Sequence, residues 1–137
     1  MSLARRLCRF ALALPLVLAF AVIAAAPAQA AIQNCPSGSF CLWEGYEHDG
    51  GMYRWSGDDS TLANDYFRAG VPVSNNASSI YNNGHVAAYD DVRIYDGTGY
   101  TGASFCVARS WWYKFRTTPS LIVWDNRVSS YRWVGAC

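Results

Sequence analysis

Apolar and polar positions in this chain alternate in short bursts instead of recurring at helical spacing. Phe40 and Leu42 sit one residue apart, as do Val92 and Ile94, which is the period-two pattern of a half-buried strand. Each burst runs into a glycine-rich corner, Asp49-Gly50-Gly51 or Gly97-Thr98-Gly99, and then into a second strand, Met52 to Trp55 or Ser104 to Ala108. Longer polar loops follow, Ser56 to Pro72 and Arg109 to Pro119. A last strand begins at Ser78 or Ser129 and carries Ile80 and Tyr81 in one case, Tyr131 and Trp133 in the other. Asn82-Asn83-Gly84 reads as the link between the halves. No segment keeps helical periodicity, and Leu62 to Phe67 has room for one turn only.

The halves also match residue by residue. Phe40-Cys41-Leu42-Trp43-Glu44-Gly45 lies over Val92-Arg93-Ile94-Tyr95-Asp96-Gly97, and at the same offset Gly50 falls on Gly102 and Tyr53 on Phe105. Ser74-Asn75-Asn76-Ala77-Ser78-Ser79 lies over Asp125-Asn126-Arg127-Val128-Ser129-Ser130 at almost the same spacing. A unit written twice, with four short strands and one long connection in each copy, predicts an all-β protein: two Greek keys packed as a sandwich.

The first 30 residues change the setting of that domain. Met1 to Arg9 is basic, Phe10 to Ala26 is apolar, and Ala28-Gln29-Ala30 is a small-x-small cleavage site, so 1–30 reads as a removable export signal. A membrane anchor fits less well, because the run is short and no basic stop-transfer flank follows. One domain then spans 31–137, with the first key over about 35–84 and the second over about 85–137. Removing Arg5, Arg6 and Arg9 from the eleven basic residues leaves eight against ten acidic ones, a net charge of −2. No basic field exists to attract nucleic acid. The expected state is a secreted monomer with no membrane contact once the signal is gone. Four cysteines remain, which in an exported domain read as disulfides. Three pairings are open. Closeness in sequence and the turn residues Pro36 and Gly38 favour Cys35–Cys41, leaving Cys106–Cys137. Isolated histidines and the absence of paired short spacings argue against zinc.

Tyr95-Asp96-Gly97-Thr98-Gly99-Tyr100-Thr101-Gly102 resembles the Greek-key signature of the βγ-crystallins, and Asp125-Asn126-Arg127-Val128-Ser129-Ser130 resembles the motif by which microbial members bind calcium. In the first half His48 stands where an aromatic is usual, and Ser74 where Asn or Asp is usual. Within that superfamily, Cys35-Pro36-Ser37-Gly38-Ser39-Phe40-Cys41 and Ala77-Ser78-Ser79-Ile80-Tyr81-Asn82-Asn83 are similar to segments of the small secreted Streptomyces metalloproteinase inhibitor family. The resemblance implies inhibition of an extracellular, thermolysin-like zinc protease. It places the reactive segment at Cys106, Val107, Ala108 and Arg109, with Val107 entering an apolar specificity pocket. In the family a short disulfide closes that segment, and here Trp111 and Trp112 lie where its second cysteine is expected. The resemblance also implies calcium ligands at Asp125, Asn126 and Ser129, with a weaker set at Ser74, Asn75 and Ser78.

Other readings are weaker. A calcium-binding structural or stress module is the main alternative, with calcium the one cofactor implied and none required. A toxin-like or carbohydrate-binding domain built on Trp111, Trp112 and Tyr113 is another. Catalysis is not expected: no Gly-x-Ser-x-Gly elbow, His-Glu-x-x-His or phosphate loop is present.

Overall fold

A computed structural model describes Ile32 and residues 34–137; the export signal read at 1–30 lies outside the described residues. Seven strands form two antiparallel sheets: β1 (Ser39–Trp43), β2 (Met52–Trp55), β3 (Ser79–Asn83), β4 (Asp91–Tyr95), β5 (Ser104–Val107), β6 (Trp112–Lys114) and β7 (Ser130–Val134). The larger sheet runs β2-β1-β3-β6 and the smaller β5-β4-β7. The alternation of the sequence sets which faces meet. Phe40, Leu42, Ile80, Val92, Ile94, Val107 and Tyr131 are fully buried between the sheets, and the rings of Phe40 and Tyr131 approach to 4.8 Å.

Three expectations need correction. The halves do not keep their own strands: β6 belongs to the second half by sequence but pairs with β3 of the first, Ile80 opposite Tyr113. The reciprocal crossing is reduced to one bridge, in which Asp59 and Tyr131 exchange two backbone hydrogen bonds of 2.9 Å. Chemistry explains the asymmetry. Trp112, Tyr113 and Phe115 supply aromatic bodies for a strand, whereas Asp58 and Asp59 have little to bury. The stretch 109–119 is therefore not a plain loop. It holds β6 and short 3-10 turns at Phe115–Thr117 and Pro119–Trp124, alongside a third at Leu62–Asn64. Asn82 and Asn83 likewise close β3, so the link between the halves starts at Gly84.

The corners repeat in atomic detail. Ser79 Oγ donates to Gly45 O and accepts from His48 N, while Ser130 Oγ donates to Gly97 O and accepts from Tyr100 N, at 2.6 and 3.1 Å in both halves. His48 and Tyr100 share a left-handed backbone (φ 59° and 62°). His48 packs on Trp43 as Tyr100 packs on Tyr95, so the histidine takes over the aromatic's place in the corner.

Candidate functional site

The segment around Cys106 is built by β-pairing. Val107 lies opposite Val92 and Phe105 opposite Ile94, which turns both toward the core and sends Cys106 outward. Cys106 is disulfide-bonded to Cys137, as Cys35 is to Cys41. Val107 is 0% exposed. It therefore does not present a side chain to a protease pocket, and the role expected for it is corrected: in this chain Phe105-Cys106-Val107 is a core strand with a disulfide on its outer face.

What reaches the surface is the turn that follows. Trp111 N donates to Ala108 O at 3.0 Å, and Ser110 holds φ 66°. The turn is gripped from three sides. Arg109 N donates to Asp91 Oδ1 (2.8 Å), and Asp91 Oδ2 accepts from Cys137 N (2.7 Å). Arg109 Nε donates to Asp90 Oδ2 (3.1 Å). Ser110 N donates to Asn82 O (2.8 Å), and Asn82 N donates to Trp111 O (3.0 Å). Asn82 is 0% exposed, and its amide donates to Asp90 O and Val107 O while its Oδ1 accepts from Gly84 N. Its role escaped sequence reading because Asn-Asn-Gly resembles a turn.

Trp111 and Trp112 stand beyond this turn, 59% and 47% exposed. Tyr113 shares a face with Trp111, opposite Trp112, and lies edge-on to Phe105 at 5.2 Å, so the aromatic cluster divides into core and surface members. Trp111 stacks over Tyr113 and Trp112 lies edge-on to His48, which restrains both indoles. Burial lowers the His48 pKa, and its Nδ1 is buried without a partner.

The two calcium-like motifs meet at one end of the sandwich, each through the other. Ser78 Oγ donates to Asn126 Oδ1 (3.2 Å) and Ser129 Oγ to Asn75 Oδ1 (3.0 Å), with Asn75 and Asn126 both left-handed. Ser74 Oγ reaches Ser129 Oγ at 3.5 Å. The carboxylates point elsewhere. Arg116 holds Asp125 (2.8 Å), and Arg127, from inside the motif, holds Asp96 (2.6 Å). Calcium takes six to eight oxygens and favours unpaired carboxylates. The hydroxyls and amides of the motifs bond one another and Arg116 holds Asp125 Oδ2, while Asp125 Oδ1 is buried without a hydrogen-bond partner. Zinc fares no better, since among the described residues the one metal-like grouping, Asp91 with Cys106 and Cys137, has both sulfurs in a disulfide.

A fourth cluster was not anticipated. Tyr53 Oη donates to Asp59 Oδ2 at 2.6 Å beside the Asp59–Tyr131 bridge. Burial, then the Asp59 charge, pushes Asp65 up to about 6. Burial and the same acids push the Tyr53 and Tyr131 hydroxyls upward, so both stay protonated.

Comparison with known proteins gives this arrangement its class. A structure from work on the evolution of the eye-lens βγ-crystallin domain fold superposes at TM-score 0.55 with 16% identity, covering 74% of this chain and 91% of its own. A βγ-crystallin from an archaeon gives TM-score 0.52 and 17% identity, covering 72% and 100%; one from Ciona intestinalis gives 0.52 and 20%, covering 70% and 99%. The fold is thus that of the βγ-crystallins, two Greek keys in a sandwich, here with two disulfides. No curated protein sequence matches the chain. The model of peptidase inhibitor family I36 matches residues 28–107. The chain belongs to that family, a family of inhibitors and not of enzymes, whose partners are peptidases.

Proposed function

We propose that the chain is exported, loses residues 1–30, and inhibits an extracellular metalloprotease of the thermolysin type. One observation carries this reading: the turn 108–111 is half-buried at Ala108 and Arg109 and exposed at Ser110 and Trp111, yet fixed by a buried asparagine, two carboxylates and a disulfide-tethered C-terminus. An inhibitor must fill a cleft without relaxing afterwards, and a loop already ordered loses little entropy on binding. In the inhibitor family a short disulfide restrains this region. Here hydrogen bonds with Asn82 and to the Asp90 and Asp91 carboxylates supply the restraint, and the contact set becomes the half-buried Ala108 and Arg109 with the exposed Ser110, Trp111 and Trp112, Val107 lying in the core. The export pattern at the N-terminus and the two disulfides support an extracellular site of action.

The test is a pair of inhibition assays with residues 31–137, one against thermolysin and one against subtilisin, a serine protease. Saturable inhibition of thermolysin alone is the expected outcome. Inhibition of subtilisin alone would move the target to another peptidase class.

A further inference from the structure

Among the described residues, no strand lies beside the outer edge of β6. The β3–β6 ladder fixes which of its backbone groups are free. Asn82 with Trp111 and Ser78 with Phe115 are hydrogen-bonded positions, so Ile80 with Tyr113, midway between them, is one as well. Trp112 and Lys114 fall on the alternate positions, opposite Tyr81 and Ser79, and their N–H and C=O groups point away from β3. Lys114 O is taken by Thr118 N at 3.2 Å, which leaves the N–H and C=O of Trp112 and the N–H of Lys114 on the open edge. Natural proteins commonly guard such an edge with a lysine. Here the Lys114 ammonium is turned to Glu47 and lies over the Trp112 ring, on the face of the sheet.

We propose that β6 docks by strand addition. The edge at Trp112 and Lys114 pairs with an extended backbone segment lining the target peptidase's cleft, and the indoles of Trp111 and Trp112 pack on either side of that pairing. This rests on the inhibitory reading above and carries it from Val107, which is buried, to Ser110 through Lys114. Three features favour that occupant. The free groups are main-chain donors and acceptors in strand order, which another strand satisfies best. The edge is continuous with the fixed turn 108–111, so one rigid unit presents both. The chain belongs to a family whose partners are peptidases, which favours a peptidase over a second copy. Two partly exposed tryptophans are the residue type that most often anchors such contacts.

The test is amide hydrogen exchange, followed by NMR, on residues 31–137 alone and with thermolysin. The Trp112 and Lys114 amides should slow at least about tenfold in the complex, while Tyr113, already bonded to Ile80, changes little. The double substitution Trp111→Ala with Trp112→Ala should weaken inhibition about a hundredfold. Unchanged exchange in β1 and β3 would show that the variant is folded. Inhibition without new protection at Trp112 and Lys114 overturns this inference and leaves the inhibitory reading standing. No binding to thermolysin overturns both. Protection that grows with concentration in the free chain overturns the choice of occupant, since the edge is then covered by a second copy.

Discussion

Ser79 and Ser130 make the same two hydrogen bonds in the two halves, and the consequence is measurable. Replacing either with alanine leaves a buried carbonyl and a backbone N–H without their partner, so each should cost about 1–3 kcal/mol, and the two losses should be alike. Chemical denaturation of the two variants checks this; losses that differ widely would deny the equivalence. Asp65 gives a dependence on pH. Its folded pKa of about 6 exceeds the ordinary 3.8, so the folded state holds that proton more tightly than the unfolded chain does. The protonated form therefore favours folding; its contribution is complete below about pH 4 and is lost as pH rises through about 6. The melting midpoint should fall between about pH 5 and about pH 7, and Asp65→Asn should flatten that slope. The serine pairs were legible in the sequence because a repeat announces them. The Asp65 cluster was not, because Tyr53, Asp59, Asp65 and Tyr131 are brought together by one isolated long-range bridge and not by a strand pairing that alternation could reveal.

The β4–β5 pairing and the turn after it decide what the second key offers a partner. Period two placed Phe105 and Val107 on one face from sequence, yet which face met the core depended on pairing with Val92 and Ile94. That is why a residue matched to an inhibitory position by resemblance proved to be core. Val107→Asp consequently tests folding and not inhibition: a carboxylate there has no partner, and the variant should be unfolded by circular dichroism at room temperature. Asn82→Ala is the more informative change. It removes two amide donations and the acceptor for Gly84, should cost about 2 kcal/mol or more, and should loosen the turn at its base through Val107 and Asp90, while the backbone bonds of residue 82 to Ser110 and Trp111 remain. Limited proteolysis should then cut the variant between 108 and 112 faster than the parent, and equal rates would deny that the Asn82 side chain contributes to holding the turn. The β6 strand itself was hidden from sequence reading, since three residues are too few to show alternation and they find their partner strand in the other half.

Across the whole molecule, crossing of strands and cross-linking of the chain act together. Each half contributes backbone to the other half's sheet, and the Cys106–Cys137 link closes a stretch 31 residues long, worth about 3–4 kcal/mol on the chain-entropy account, against about 2 for Cys35–Cys41, only 6 apart. Reduction of the longer link should therefore dominate the fall in stability. Millimolar calcium should move the melting midpoint little, because Arg116 holds Asp125 Oδ2 and the 74–79 motif carries no acid. The central claim is that a rigid turn at the end of β5 lets this crystallin-like sandwich block a peptidase without being consumed. The most direct measurement incubates residues 31–137 with an equimolar amount of thermolysin and follows residual activity and chain mass together. The prediction is suppressed activity with the 108–112 segment uncut. Full activity, or suppression that fades as the chain is cleaved within that segment, would contradict it.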